Sequence, residues 1–169
     1  MRFEDSYIGR LRRLAGSATL IVPGFRALIF DKDGALLVMR RADTGLWGLH
    51  GGSMELGESA AQMIEREVRE ETSLRAGGFD IFGLASQPDL ETHVYPNGDR
   101  IHNFARLAAI HHWTSHHCTG TPTALDGEAT DFRFVTKVED IPSVQRVEQE
   151  MRCVAPYREY VCTGSFQLL

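Results

Sequence analysis

The chain is short of positive charge, of cysteine and of long apolar runs. Its 18 Lys and Arg against 23 Asp and Glu give a formal net charge of −5. Such a chain has no global basic field to draw nucleic acid to it, so a nucleic-acid partner is not expected. Three cysteines, Cys118, Cys153 and Cys162, are an odd number without metal-type spacing. There is no secretory signal and no run of 18 apolar residues. These absences give the expectation of a cytoplasmic protein with free thiols and no membrane partner. Repeats, low-complexity segments and linkers are also missing. A length of 169 residues suits one substantial core and is too short for two ordinary domains. The expectation is a single domain over 1–169, with a helical extension at 1–17.

What the sequence does carry is concentrated between Gly52 and Leu74. Glu67, Glu70 and Glu71 stand at spacings of three and four, which puts three carboxylates on one side of a helix. Like charges so packed repel, and the face lacks the interspersed cations of a solvated helix. That pattern points to a missing counter-ion, most simply Mg²⁺ or Mn²⁺. Ser59 followed by Gln62 reads as a capping box that starts the helix. Ala60, Ile64, Val68 and Thr72, with Ala61 and Met63 beside them, read as its buried stripe, and the glutamates lie off it. Upstream, Gly51, Gly52 and Gly57 allow sharp turns and leave backbone carbonyls open to a ligand.

Gly52, Glu58, Arg66, Glu67, Val68, Glu70, Glu71 and Leu74 fall in register with the Nudix box, G-x5-E-x7-R-E-U-x-E-E-x-G-U, and the segment resembles that family. Ser73 stands where the family has glycine, at the expected helix end, where a left-handed backbone costs a non-Gly residue about 1 kcal/mol. The resemblance implies an α+β fold, an α/β/α sandwich about a central mixed sheet. It also implies Mg²⁺ or Mn²⁺ held by the Gly52 carbonyl, Glu67, Glu70 and Glu71, with Glu58 contacting metal or Arg66. Arg66 would orient a carboxylate. The base that deprotonates the attacking water would be Glu67 or a glutamate from outside the box, for which Glu128 is the candidate and Asp126 the second.

Elsewhere, Ser6 to Leu14 reads as a short helix stopped by Gly16, with Arg10, Arg12 and Arg13 on a solvated face. Phe25–Phe30 and Leu36–Met39 read as a hairpin turned at 31–34. Arg40 and Arg41 follow; in a strand they face opposite ways, so at most one meets the ligand. In proteins that this segment resembles, a basic pair lies near the substrate phosphates. Trp47 reads first as a core aromatic and second as a base-stacking platform. His50 replaces the proline usual before the Gly-Gly pair. Phe79–Leu84 reads as a strand, 92–95 with 100–107 as a hairpin, and His93 and Tyr95 as strand residues able to flank a base or sugar. The run His111–Cys118 invites zinc, but without a second ligand pair it reads as a strand end and loop. Val144–Tyr160 has helical character interrupted at Pro156, with no chemistry assigned to it.

The function so implied is hydrolysis of a diphosphate linkage in a nucleoside diphosphate joined to another moiety, either a nucleoside triphosphate or a nucleotide sugar such as ADP-ribose. Two alternatives share the fold: a non-catalytic nucleotide-sensing module, and an enzyme like the isoprenyl-diphosphate isomerases. The residues leave open whether the protein is a monomer or a homodimer.

Overall fold

The computed structural model describes residues 3–95, 97–115 and 121–169. An N-terminal helix α1 (Tyr7–Ala15) leads into the long strand β1 (Leu20–Ile29), followed by β2 (Leu36–Arg41), β3 (Trp47–Gly48) and β4 (His50–Ser53). The box helix α2 (Ala60–Thr72) and β5 (Leu74–Ala85) come next, then the single turn α3 (Pro88–Glu91), β6 (Thr92–Val94) and β7 (Arg100–Ser115). The chain closes with β8 (Ala129–Val135), the short α4 (Glu148–Met151), α5 (Val154–Thr163) and β9 (Gln167–Leu168).

The principal sheet has the order β4-β1-β7-β5-β9, with β6 paired to β7. It is mixed, because β1 runs parallel to β7 and β9 parallel to β5. Alternation along β1 sorts side chains to two faces. Phe25, Ala27 and Ile29 meet Met63, Ile64 and Val68 of α2, together with Ala108 and Ile110 of β7. Leu28 and Phe30 face the other way, with Phe82, Leu107 and Ala109, and are covered by Val154 and Tyr157 of α5. This is the expected sandwich. Each of the fully buried α2 side chains contributes about 1.5–3 kcal/mol by leaving water.

Four expectations need correction. The β1–β2 hairpin is limited to one bridge, Phe30 to Leu36, because β2 leaves for a second, antiparallel sheet of order β3-β2-β8. There it makes a longer pairing with β8, registered from Leu36 opposite Val135 to Arg40 opposite Asp131. On α2, Ala61 is exposed while Glu71 is buried, so the inward face reaches one position nearer the carboxylates than the apolar pattern implied. Pro156 interrupts nothing. It lies in the first turn of α5, where a missing N–H is harmless, and the break comes earlier, between α4 and α5. Arg12 is not solvated, with a side chain 11% exposed that bonds the Gly16, Ala18 and Arg100 carbonyls and pairs with Asp99.

The capping box at Ser59 and Gln62 is formed as expected. At the other end of α2, Ser73 adopts φ 57°, the one positive-φ non-glycine among the described residues. Its hydroxyl is buried without a partner. Ser73→Gly therefore removes two costs at once and should raise the unfolding free energy by about 1 kcal/mol. Urea denaturation checks this: a midpoint at or below wild type would mean that the serine is not strained.

Candidate active site

The sharp approach of β4 to α2 builds the site. Arg66 reaches from the first half of α2 into a ring of oxygens. Its guanidinium donates to both carboxylate oxygens of Glu58, at 2.8 and 3.1 Å, and to the Ser53 carbonyl at 3.0 Å. It also lies 2.9 Å from Glu67 and 3.4 Å from Glu70. The three carboxylates that converge on Arg66 are Glu58, Glu67 and Glu70, not the expected Glu67, Glu70 and Glu71, because Glu71 turns inward toward Gly51 and the guanidinium draws Glu58 in from the preceding loop. Glu58 is held below the ordinary carboxylate range by its bonds to Arg66.

Glu71 points inward from the same helix. It is 2% exposed and accepts the Gly51 N–H at 3.2 Å. His50 Nδ1 stands 3.5 Å from the same carboxylate oxygen. Burial pushes the His50 ring down to about 4, so the imidazole is neutral and supplies Glu71 with no positive charge. Glu71 is raised well above the usual range, first by burial and then by Glu128. Glu67 is raised to about 7, again by burial, against the pull of Arg66. Two adjacent-turn carboxylates held at unfavourable protonation are a common mark of a working site.

Glycine is needed beneath them for a steric reason. A Cβ on Gly52 would land inside the Glu67 carboxyl group, and one on Gly51 would stand 2.6 Å from the Phe25 carbonyl oxygen. The Gly52 carbonyl leans over Gly24 of β1, where an added Cβ would approach it to 2.5 Å. Gly52→Ala meets only the end of a flexible side chain, so the fold should survive while Glu67 is pushed off its seat. The expected result is a loss of Mn²⁺ affinity of about 10-fold or more, measured by titration, with little change in thermal midpoint. Unchanged affinity would show that Glu67 does not need its place above Gly52.

The loop after β7 is docked on the end of the box helix. Thr123 N–H bonds the Thr72 carbonyl at 2.9 Å and Leu125 N–H the Glu70 carbonyl at 2.7 Å, satisfying two orphan acceptors of the helix terminus. The same loop carries Asp126 and Glu128 into electrostatic reach of Glu71. Glu128 is fixed through its backbone: its carbonyl accepts from Ala42 N–H at 2.8 Å and its own N–H donates to the Asp126 carboxylate at 2.9 Å. Burial, then Asp126, raises the Glu128 carboxyl.

A NUDIX domain family model matches residues 20–157, from the start of β1 into α5. The chain belongs to the Nudix family. A MutT-like protein of Streptomyces ambofaciens is 42% identical over 57 residues, which are 34% of this chain and 37% of that protein. An ADP-ribose pyrophosphatase of Methanocaldococcus jannaschii is 34% identical over 64 residues, 36% of this chain and 38% of the relative. The matches span between 37% and 53% of the curated relatives' own lengths. Among solved structures, the NUDIX domain of Shewanella oneidensis NrtR complexed with ADP ribose superposes with a TM-score of 0.61 at 18% identity, covering 92% of this chain and 96% of that one. At that identity the likeness is one of fold.

The substrate-side candidates are dispersed around the Nudix box. A bulge between Arg40 and Arg41 separates their directions. Arg40 turns back to the Gly45 carbonyl at 3.0 Å, whereas Arg41 pairs with Asp43 at 3.0 Å and lies 3.7 Å from Glu150. Trp47 is 9% exposed with the Arg133 guanidinium 4.7 Å from its ring centroid, which makes it the core aromatic of the first reading. Tyr95, 43% exposed, meets His93 edge to face. His111 stacks on Phe30 and bonds the Tyr157 hydroxyl, as befits a strand residue. His116, His117 and Cys118 lie outside the described residues, and no helix among the described residues is long and apolar enough to cross a membrane.

Glu150 is the site residue that the sequence did not offer. It sits in α4, where no chemistry was assigned, yet its carboxylate accepts the Leu49 N–H at 2.7 Å and occupies the space a Gly48 side chain would need. The Val147 N–H to Trp47 carbonyl bond, 2.8 Å, brings α4 there. That backbone pairing across a hundred residues has no local signature.

The acceptor groups suit a hard divalent cation, because Glu58, Glu67, Glu70 and Glu71 offer carboxylate oxygens and oxygen is what Mg²⁺ and Mn²⁺ prefer. Glu71, buried beside a neutral imidazole, has no cation of its own. Among the described residues no three acidic, His or Cys side chains form a closed cage, since Arg66 lies between Glu58, Glu67 and Glu70. The residues fit as a donor set that becomes available when Arg66 shares its partners.

Proposed function

We propose that this Nudix protein hydrolyses a diphosphate linkage in a nucleoside diphosphate joined to another moiety, using Mg²⁺ or Mn²⁺. The observation that carries the reading is the pair of carboxylates set against the β4 glycines, Glu67 over Gly52 and the buried Glu71 at the Gly51 N–H, beside the Arg66 ring of ion pairs. Glu67, Glu70, Glu71 and the Gly52 carbonyl would hold the cation, which would supply positive charge to offset that of the substrate diphosphate.

The protein's own groups have separate tasks. Arg66 holds Glu58, Glu67 and Glu70 against their mutual repulsion. The base that takes a proton from the attacking water is Glu67 or, from outside the box, Glu128, which lies in electrostatic reach of Glu71. The attacking water gives its oxygen to phosphorus and its proton to that base, and the bridging P–O bond breaks to release two phosphorylated products. Arg41, turned toward Glu128 and Glu150, is the better placed of the two arginines to meet phosphate. The similarity to an ADP-ribose pyrophosphatase supports a nucleotide sugar as substrate, and 32% identity over 75 residues to the nucleoside triphosphatase NudI of Escherichia coli supports the nucleoside triphosphates.

The test is a panel of nucleoside triphosphates and nucleotide sugars with Mg²⁺ or Mn²⁺. ADP-ribose should give AMP and ribose phosphate; a triphosphate cleaved at the same type of linkage should give nucleoside monophosphate and pyrophosphate. Saturable binding of a nucleotide without turnover of any compound would reject hydrolysis in favour of a sensing module.

A further inference from the structure

Helix α1 lies before the matched Nudix residues, yet an unbroken chain of short polar contacts joins it to the box. Ser6 caps the helix by accepting the Gly9 N–H at 3.0 Å, which leaves the Tyr7 N–H as an orphan donor at the positive end of the dipole. That donor is taken by Glu55, which offers both carboxylate oxygens at 2.9 Å. Arg10, one turn on, adds a 3.7 Å ion pair to the same carboxylate. Glu55 belongs to the loop between β4 and α2, and its own N–H donates to Glu58 at 2.6 Å. Glu58 in turn grips Arg66, and Arg66 stands against Glu67. The far end of α1 is pinned independently by Arg12, whose guanidinium bonds the Arg100 carbonyl at 2.9 Å and pairs with Asp99 at 3.4 Å.

We infer that Glu55 is a positioning residue that lets helix α1 hold the box loop, so that Glu58 and Arg66 present Glu67 and Glu70 in the arrangement the divalent cation uses. The inference rests on the metal-dependent reading above. Its physical basis is preorganisation: a loop carrying Glu58 would otherwise sample several positions, and each would draw Arg66 with it. The loop contains Gly57 at φ 85°, a hinge with no steric brake of its own. Glu55 is anchored on one side by a helix terminus and on the other by its peptide N–H, so it supplies that brake. No local pattern signals this contact, because Glu55 is one of the box's unspecified positions and α1 precedes the box by about forty residues.

The contact can be removed one atom at a time in the full chain. Tyr7 is the first helical residue, a position where proline is favoured, and Ser6 before it is already extended at φ −69°, ψ 161°, as a following proline requires. Tyr7→Pro deletes the N–H while keeping the helix; Tyr7→Ala deletes the ring while keeping the N–H. Mn²⁺ titration by electron paramagnetic resonance and hydrogen exchange of the peptide 53–66 are read on both, and on Glu55→Ala, Glu55→Gln and Tyr7→Pro/Glu55→Ala. Tyr7→Pro and Glu55→Ala should each weaken Mn²⁺ binding about five- to tenfold, at the low end for outer partners of a metal site, and speed exchange in 53–66. Tyr7→Ala should match wild type, Glu55→Gln should restore most of the affinity because it keeps an acceptor oxygen, and the double variant should be no worse than either single one. Equal losses in Tyr7→Pro and Tyr7→Ala, or additive losses in the double variant, would overturn the proposal. If wild type itself binds no Mn²⁺, the metal reading fails and exchange alone decides: faster exchange in Tyr7→Pro than in Tyr7→Ala supports the strap, and equal rates reject it.

Discussion

Glu71→Gln is expected to lower turnover by about 10²–10³-fold while leaving the metal-free fold as stable as wild type or more so. Glu71 is buried at 2% exposure, with the Gly51 N–H as its hydrogen-bond donor and a neutral His50 beside it. A carboxylate there is costly, so the metal-free protein keeps the proton. Glutamine has the same shape, carries no charge and still accepts from Gly51. The substitution removes a ligand for the cation and nothing that the apo fold depends on. Activity within a few-fold of wild type would remove Glu71 from the reaction.

The same groups fix the sign of the pH dependence. Glu67 and Glu71 have folded-state values raised from 4.5 by burial, Glu67 to about 7. Each of these two carboxyls therefore binds more proton in the folded than in the unfolded chain above 4.5 and costs stability as pH rises through about 7, whereas His50, lowered from 6.5 to about 4, works in the opposite direction between those values. In chelator, the urea midpoint of wild type should fall from pH 6.5, where the opposing His50 contribution is nearly complete, to about pH 8. Glu71→Gln should flatten the slope by its share, and Mg²⁺ should offset the remainder by binding the ionised form.

What could be read in advance was local. The capping box at Ser59, the helix it starts, the glycines beneath the carboxylates and the left-handed Ser73 all follow from spacing within some twenty residues, and all are present. The apolar run Phe132–Val135 after a turn-rich loop is legible as a strand, but the strand begins three residues earlier, at Ala129, directly after Glu128. What escaped was set by pairing over long separations. The departure of β2 to join β8 and the arrival of Glu150 at Leu49 have no periodic signal of their own. Nor did Arg12 and Glu55, whose partners lie 88 and 48 residues away. Charged residues on a short helix look solvated until the neighbour that buries them is known. Glu71 is the instructive middle case: its role could be assigned from the motif, but its burial depends on β4 crossing the helix at Gly51.

Arg66→Ala is expected to have the largest effect on stability. One guanidinium serves Glu58, Glu67, Glu70 and the Ser53 carbonyl, and all four contacts lie within 3.4 Å. These side chains are 14–29% exposed, so water replaces the lost partner poorly. Breaking such a cluster from one side leaves its charges facing each other at a cost of about 3 kcal/mol. For a chain of this size that corresponds to a fall in thermal midpoint of about 6–12 °C. Arg66→Lys should recover only part of it, because a point charge cannot bond a carboxylate pair and a carbonyl at once. Mg²⁺ separates this account from simple loss of packing, because Arg66 also holds Glu67 and Glu70 in the arrangement the cation would use. The stabilisation by Mg²⁺ should therefore be smaller in Arg66→Ala than in wild type, measured as the shift in midpoint between chelator and saturating metal. An equal shift in both proteins would mean that Arg66 and the cation do not share their partners.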